Sequence, residues 1–453
     1  MCQRRDTMSH VVLLDLVHGC CHTLVAGSYP DSRVFVLCTK RYREKGHALP
    51  SWCGSAQVLA SGSTAESLFR LKKIVDELRV TSVTVHTSPR GRDALPRYLK
   101  LLFTAVYTFQ YRVTSQDNLT CQSCTSSAHT DPPGEGLKER EGKEGEEEQE
   151  EEEEEEEEQE EEWKFLQQLP ALKGQMTVLT SSLIPDVFGH GFSTRRGGVS
   201  DLPTLSSLNL FSSSRRRDPV AVVMENRRRL GLHAGFHPLP LRLVQVDHGS
   251  DVWVVGSAEP ESYDGMVTNQ TGVVLAAPGA DCMPLLFADP VSKVIGAAHA
   301  GWKGTLMGVA MATVQAMVKE FGCQVNDILV AVGPSVGGCC FTLERQQALD
   351  FISIHPECVP DPGLDRPHVN IRLATRLLLQ RGGILPEHIH DDTVTDRPCV
   401  TPCTSCRPEL FFSHVRDGPD FGTQVGFLWI RESNPQEARP SQALEDGQSP
   451  HTS

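Results

Sequence analysis

Two apolar, β-branched runs of strand length open the chain, "HVVLLDLV" from His10 and "SRVFVLCT" from Ser32. The period then lengthens in "SGSTAESLFRLKKIVDELR". Leu68, Leu71, Ile74, Val75 and Leu78 recur at helical intervals, and Ser63 with Glu66 has capping-box spacing. "VTSVTVH" alternates as a strand. "LPRYLKLLFTAVYTF" reads as a second amphipathic helix, followed by a strand at "YRVTS". This order predicts a small layered α/β unit over residues 1–112.

The pattern fails over residues 113–163, which are polar, contain Pro132-Pro133 and end in a glutamate run. Like charges repel, and too little apolar surface is present to offset the entropy of ordering, so a disordered linker is expected. Periodicity resumes over 164–432. "VVLAA", "PLLFAD" and "VIGAAHA" read as buried strands. "LMGVAMATVQAMVKEF" reads as a helix, "DILVAVG" as a strand, "NIRLATRLLLQRGG" as a helix with Gly382 as its C-cap, and "TQVGFLWI" as a last strand. Residues 433–453 are polar and rich in Pro and Ser, and read as a disordered tail.

Composition changes this picture in two places. The formal net charge is −15, but 15 of the 17 residues in 146–162 are Glu, so the rest of the chain is near neutral. No basic stripe marks a nucleic-acid partner. The 15 cysteines are an odd, scattered set that includes the adjacent pairs Cys20-Cys21 and Cys339-Cys340, unlike a secreted disulfide frame. Apolar runs fall short of the ~20 residues that span a bilayer. These features predict a soluble cytoplasmic chain, in which "NLT" at 118–120 is a coincidental glycosylation pattern. Protein partners are expected through the N-terminal unit or the acidic linker.

Chemistry is sought where polar residues interrupt apolar runs. Cys282 follows "VVLAAPGAD", His299 interrupts "VIGAAHA", and His248 lies within "LRLVQVDHGSDVWVV". Strand ends place such groups on a rigid scaffold open to solvent. Two imidazoles and a thiolate suit Zn²⁺ with an open fourth position, although spacings of 34 and 17 residues form no local metal motif. The same residues permit Cys282 as a thiolate nucleophile beside a histidine base, with Asp281 orienting it or moving a proton. Buried core thiols and imidazoles are the plain alternative. "FSTRRGGVS" offers Arg195, Gly197 and Gly198 as a phosphate cradle or a solvated turn. "GPSVGGCCF" is a second Gly-rich turn. "CQSC" at 121–124 lies in the linker, which disfavours zinc there. "CVTPCTSC" at 399–406 lacks histidine partners and reads as a thiol-rich loop rather than a second zinc site.

Taken in order, "FSTRRGGVS", "SLNL" with Asn209, "MENRRRL", His248-Gly249, "GADCMPLLFAD", "AAHAGWKGT", "GPSVGGCCF" and "FFSHVRDG" resemble the YfiH/YlmD family, also called the multicopper polyphenol oxidoreductase laccase-like family. The likeness covers about 180–431. It implies a layered α/β sandwich and one catalytic zinc held by His248, Cys282 and His299. It also implies purine nucleoside phosphorolysis with inorganic phosphate as co-substrate, and adenosine deamination at the same site. Arg195, Gly197, Gly198 and Asn209 are then substrate-binding candidates, and Asp281 a catalytic proton carrier. Animal members are associated with purine metabolism in macrophages and with inflammatory control. Copper is not expected: a multicopper site needs His-X-His pairs, and only His388-Ile389-His390 supplies one. Two departures from the bacterial pattern are Val246, with Gln245 one place further back, and Gly422-Thr423 in place of Gly-Arg. The competing readings are a metal-free Cys-His hydrolase or transferase, and a partner-recruiting scaffold with an inert pocket.

Overall fold

A computed structural model describes residues 10–19, 32–40, 56–114 and 163–432. The expected tail, the "CQSC" and "NLT" motifs, Cys20-Cys21 and all but the ends of the expected linker lie outside the described residues.

The N-terminal unit contains β1 (His10–Asp15), β2 (Ser32–Leu37), β3 (Gln57–Leu59), α1 (Thr64–Glu77), β4 (Ser82–Thr87), α2 (Pro89–Leu102) and β5 (Thr108–Val113). Its five strands run parallel in the order β3-β2-β1-β4-β5. The Ser63 hydroxyl caps α1 by accepting the Glu66 amide at 3.1 Å, and the Glu66 carboxylate accepts the Gly62 amide at 3.1 Å. The second helix is shorter than its apolar pattern suggests. Phe103 turns to an extended conformation, and Thr108 already pairs with Ser82. β3 was not anticipated; it is a three-residue edge strand with too short a pattern to read.

The larger unit carries β6 (Val178–Leu179), β7 (Phe188–Ser193), α3 (Val220–Ala234), β8 (Leu241–Leu243), β9 (Val252–Val254), β10 (Gly265–Thr268), β11 (Val274–Gly279), β12 (Met283–Asp289) and β13 (Val294–Ala300). It continues with α4 (Trp302–Met307), α5 (Val309–Phe321), β14 (Leu329–Val332), α6 (Ile371–Arg381), β15 (Ile389–His390), α7 (His414–Asp417) and β16 (Gln424–Ile430). Two sheets form, a six-stranded β15-β14-β12-β13-β10-β9 and a five-stranded β6-β7-β16-β11-β8. Alternation along the strands stacks them. Leu286 and Ala288 of β12 meet Leu275 and Ala277 of β11 and Leu428 of β16 in the core between the sheets. Met283, Leu285 and Phe287 point the other way, into a core with Val314 and Met317 of α5 and Leu379 of α6. The outer face of the second sheet packs Val274, Phe427 and Trp429 against Leu230 of α3. The result is the expected layered α/β sandwich, with both sheets buried on both faces.

The helix expected over 306–321 is broken. Gly308 has φ +84°, ends α4 and starts α5, a left-handed turn that glycine adopts without a Cβ clash. Gly382 does follow α6, but the left-handed residue is Gly383, at φ +100°.

The two units share a core. Leu166, Val199, Ala221 and Val222 belong to the same buried cluster as Leu68, Leu71, Leu99 and Phe103. Phe165 sits 5.5 Å from the Phe69 ring, and Lys73 pairs with Asp201 at 3.0 Å. No helix among the described residues is long and apolar enough to cross a membrane.

Candidate metal centre

β13 lies between β12 and β10, and that placement assembles the centre. On one side Pro284 pairs with His299 and Met283 with Ala300, so Cys282 stands beside Gly301 at the end of the ladder. On the other side Gly265 pairs with Ala298, which puts Asp264 next to His299. The His299 amide donates to the Asp264 carbonyl at 2.7 Å, and its Nδ1 bonds the Asp264 carboxylate at 2.7 Å. His248 arrives on the loop after β8. Its backbone has φ +67°, a left-handed conformation that histidine adopts more readily than most residues. The His248 and His299 rings meet edge to face with centroids 5.1 Å apart.

The ligand atoms of His248, Cys282 and His299 all lie within 4.8 Å of one another. A tetrahedral zinc with bonds of about 2.0–2.3 Å requires separations of roughly 3.3–3.8 Å, which this cluster accommodates. His299 is buried, Cys282 half-buried and His248 exposed, so the open side of the cluster faces solvent.

Asp264 organises the whole group. One carboxylate oxygen takes His299 Nδ1. The other accepts the amides of Asp247 and Gly249, at 3.2 and 2.7 Å, the two residues that flank His248. A single buried carboxylate therefore orients one imidazole directly and the other through its backbone. It also favours the proton of His299 on Nδ1, which leaves the Nε2 lone pair available to a metal.

Electrostatics follow from this geometry. Burial alone would raise the Cys282 thiol, but the charge on His299 and the bonds from both imidazoles outweigh it and bring it down to about 6. Burial opposes charge on His299 as well, yet Cys282 and Asp264 raise it to about 9. Asp264 is held down to about 2, because its bonds from His299, Asp247 and Gly249 exceed the cost of burial. Without a metal, the cluster is a thiolate–imidazolium pair backed by a carboxylate.

Asp264 and Gly301 were not among the expected residues. Asp264 left a faint signal, a charge directly before the apolar "GMVT". Gly301 is needed for space: a Cβ there would lie 2.9 Å from Cys282 Sγ and 3.3 Å from His248 Cδ2.

The remaining expected residues make contacts within the fold. Asp281 is buried, and its carboxylate accepts bonds from the Thr404 hydroxyl, from Ser413 Oγ at 3.0 Å and from the Val415 amide at 2.7 Å. These contacts make it an anchor for two loops; the proton-carrier role expected of it stands beside them as an expectation. Arg195 donates to the carbonyls of Ser206, Pro408 and Pro203 at 2.8, 2.9 and 3.2 Å and lies over the Phe412 ring. The Gly197 amide bonds the Leu172 carbonyl, and the Gly198 amide bonds Ser207 Oγ. Three of the five guanidinium N–H groups and both glycine amides, which the sequence reading assigned to phosphate, are thus bonded within the fold. Gly197 has φ +88°, and a Cβ on Gly198 would lie 2.1 Å from the Ser207 carbonyl oxygen, so both glycines meet packing demands. Asn209 is likewise internal, bonded to Asp218 at 2.8 Å and to the Thr423 amide at 2.9 Å. Thr423 is held in place on its side-chain end as well: Arg216 Nη1 donates to its hydroxyl at 2.8 Å.

Known proteins share this arrangement of sequence. The profile of the family described as "Multi-copper polyphenol oxidoreductase laccase" matches residues 189–431. The mouse protein named "Purine nucleoside phosphorylase LACC1" is 48% identical over 392 residues, 86% of this chain and 85% of that protein. "Purine nucleoside phosphorylase YlmD" of Geobacillus stearothermophilus is 32% identical over 53% of this chain and 90% of its own length. The crystal structure of YlmD from that organism aligns with a TM-score of 0.49 at 30% identity, over 56% of this chain and 94% of that one. "Adenosine deaminase RL5", from an unknown prokaryotic organism, is 28% identical over 51% of this chain and 90% of its own length. With the profile spanning more than half of the chain and the mouse relative most of it, the chain belongs to the multi-copper polyphenol oxidoreductase laccase family.

Proposed function

We propose that this chain is a zinc-dependent purine nucleoside phosphorylase that also deaminates adenosine. Its substrates would be adenosine, inosine, guanosine and S-methyl-5′-thioadenosine. The observation that carries the reading is the convergence of His248, Cys282 and His299 around one point, with Asp264 aligning both imidazoles. The names of the relatives supply the reaction class.

Zinc held there would supply a Lewis acid and a water of lowered pKa. The protein's own part is orientation. Asp264 keeps the His299 proton on Nδ1, Cys282 stays ionised beside the imidazoles, and the exposed edge at His248 admits the nucleoside. In phosphorolysis the C1′–N9 bond breaks, a phosphate oxygen bonds C1′, and the base leaves with the electron pair and takes up a proton. In deamination water adds at C6 and ammonia leaves. A cytoplasmic setting and a role in macrophage purine metabolism accompany this reading as proposals.

The depressed Cys282 thiol favours one other reading, a metal-free Cys-His hydrolase or transferase. The deciding experiment incubates purified protein with inosine, with and without phosphate, and measures its metal content in parallel. Hypoxanthine released only with phosphate, by a protein from which Cys282→Ala removes one zinc ion together with turnover, supports the proposal. Phosphate-independent turnover by a zinc-free or copper-loaded protein overturns it. Ammonia release from adenosine tests the second activity.

A further inference from the structure

A second group of donors lies away from this centre. Cys339 and Cys340 follow the Gly-rich turn after β14, and Cys403 and Cys406 form a Cys-X-X-Cys pair more than sixty residues later. The fold lays the two loops side by side: Ser335 bridges Cys403 in parallel, and the Thr404 amide donates to the Ser335 carbonyl at 2.9 Å. All four sulfurs lie within 4.8 Å of one another. Cys406 Sγ is 3.7 Å from Cys339 Sγ and 3.4 Å from Cys340 Sγ.

We propose that Cys339, Cys340, Cys403 and Cys406 bind a structural zinc ion as a tetrahedral four-thiolate site. The spacing is the first argument. Zinc–sulfur bonds of about 2.3 Å place tetrahedral sulfurs about 3.8 Å apart, close to both measured separations and far from the ~2.05 Å of a disulfide. The shared contact is the second. Cys406 touches both members of the adjacent pair, so the sulfurs gather around one point instead of sorting into two couples. Charge is the third. Four thiols that give their protons to solvent leave the bound site with two negative charges. The Gly337 amide donates to Cys403 Sγ at 3.3 Å. Arg372 Nη1, which also pairs with Asp392 at 2.8 Å, and Cys339 Sγ flank the same spot, 3.6 and 3.2 Å from a Cβ built on Gly337.

The surrounding bonds show what such an ion would stabilise. Arg372 donates to Ser335 Oγ at 3.0 Å and the Pro402 carbonyl at 3.0 Å, while Arg416 donates to the Thr404 carbonyl at 2.8 Å. Thr404 in turn donates to Asp281, the neighbour of Cys282. The four-thiolate site ties together the loops that hold the base of the β12–β13 hairpin. On this proposal the partners that "CVTPCTSC" lacks in the sequence are the adjacent pair Cys339-Cys340, not histidines.

The test is zinc content of the full-length protein, expressed without a histidine tag, by elemental mass spectrometry. Two zinc ions per chain are expected in the parent, one in Cys282→Ala and one in the Cys403→Ser, Cys406→Ser double variant. Should the first centre hold no zinc, the parent and Cys282→Ala would both carry one, which separates failure of that reading from failure of this one. Unchanged zinc in the double variant overturns the proposal. So does a zinc-free Cys282→Ala protein, or a mass showing the four thiols oxidised to disulfides. Because the double variant is open to misfolding, a second measurement keeps the four thiols intact. Cys282→Ala is reloaded with cobalt, and the tetrahedral, four-thiolate charge-transfer spectrum is expected. A spectrum lacking it refutes the site.

Discussion

Asp264→Asn keeps the shape of the side chain, removes its charge and tests the organisation of the metal centre. The carboxylate accepts three bonds, one from His299 Nδ1 and two from the backbone on either side of His248. An amide cannot satisfy all three. If its oxygen faces His299, its NH₂ meets the Asp247 and Gly249 N–H groups, and the loop around His248 loses the acceptor that fixes it; only Gly249 keeps another partner, Asp247 Oδ1 at 2.9 Å. If its NH₂ faces His299, the ring proton must shift to Nε2 and the lone pair needed by a metal is lost. Removing the carboxylate behind a metal-ligating histidine typically costs 10–100-fold in affinity, about 1.4–2.7 kcal/mol. The expected result is a zinc affinity lower by about one to two orders of magnitude. The assay is competition with a chelator of known strength at neutral pH, on protein whose near-ultraviolet circular dichroism matches the parent. An affinity within about twofold of the parent would refute the reasoning.

Three further outcomes follow from the same geometry. Gly301→Ala forces a Cβ to within 2.9 Å of Cys282 Sγ, so zinc affinity and turnover should both fall about tenfold or more while melting changes little; an unaltered variant would show the site is looser than drawn. Zinc affinity should rise with pH, because the metal needs ionised Cys282, lowered to about 6, and neutral His299, raised to about 9. Chelator competition across that window should show a loss of about tenfold per unit as pH falls from 9 towards 6, steepening below, and a flat profile would contradict the assignment. Arg195→Lys cannot serve three carbonyls, so it should lower stability by about 2–4 kcal/mol in denaturant titration with zinc content intact; a raised KM for phosphate at unchanged stability would restore the phosphate role.

The sandwich core was legible because β11, β12 and β13 are buried on both faces and read as unbroken apolar runs. β7 was not, since "FGHGFS" interleaves glycine and polar residues that only packing explains: a Cβ on Gly189 would strike the Trp429 ring. The three residues of the candidate metal centre stood out as polar groups at the ends of apolar runs. Asp264 and Gly301 did not, because their roles depend on cross-strand register and on van der Waals space, neither of which has a local signature. Arg195 was ambiguous for a related reason. A guanidinium beside two glycines looks the same in sequence whether its partner is a phosphate or three carbonyls of its own chain. The four-cysteine cluster needed tertiary contact between segments more than sixty residues apart.

The core shared between the two units ties their fates together. Leu166, Val199, Ala221 and Val222 are covered by the N-terminal helices, so cutting the chain at the acidic tract and discarding the first unit would leave an apolar scar on the second. The shared core predicts that the two units unfold together. Free energy released when a ligand binds at the His248–Cys282–His299 centre is therefore felt by the parallel sheet as well. Substrate or metal would protect β1 and β4 from hydrogen exchange without touching them, which makes the N-terminal unit a remote reporter of occupancy.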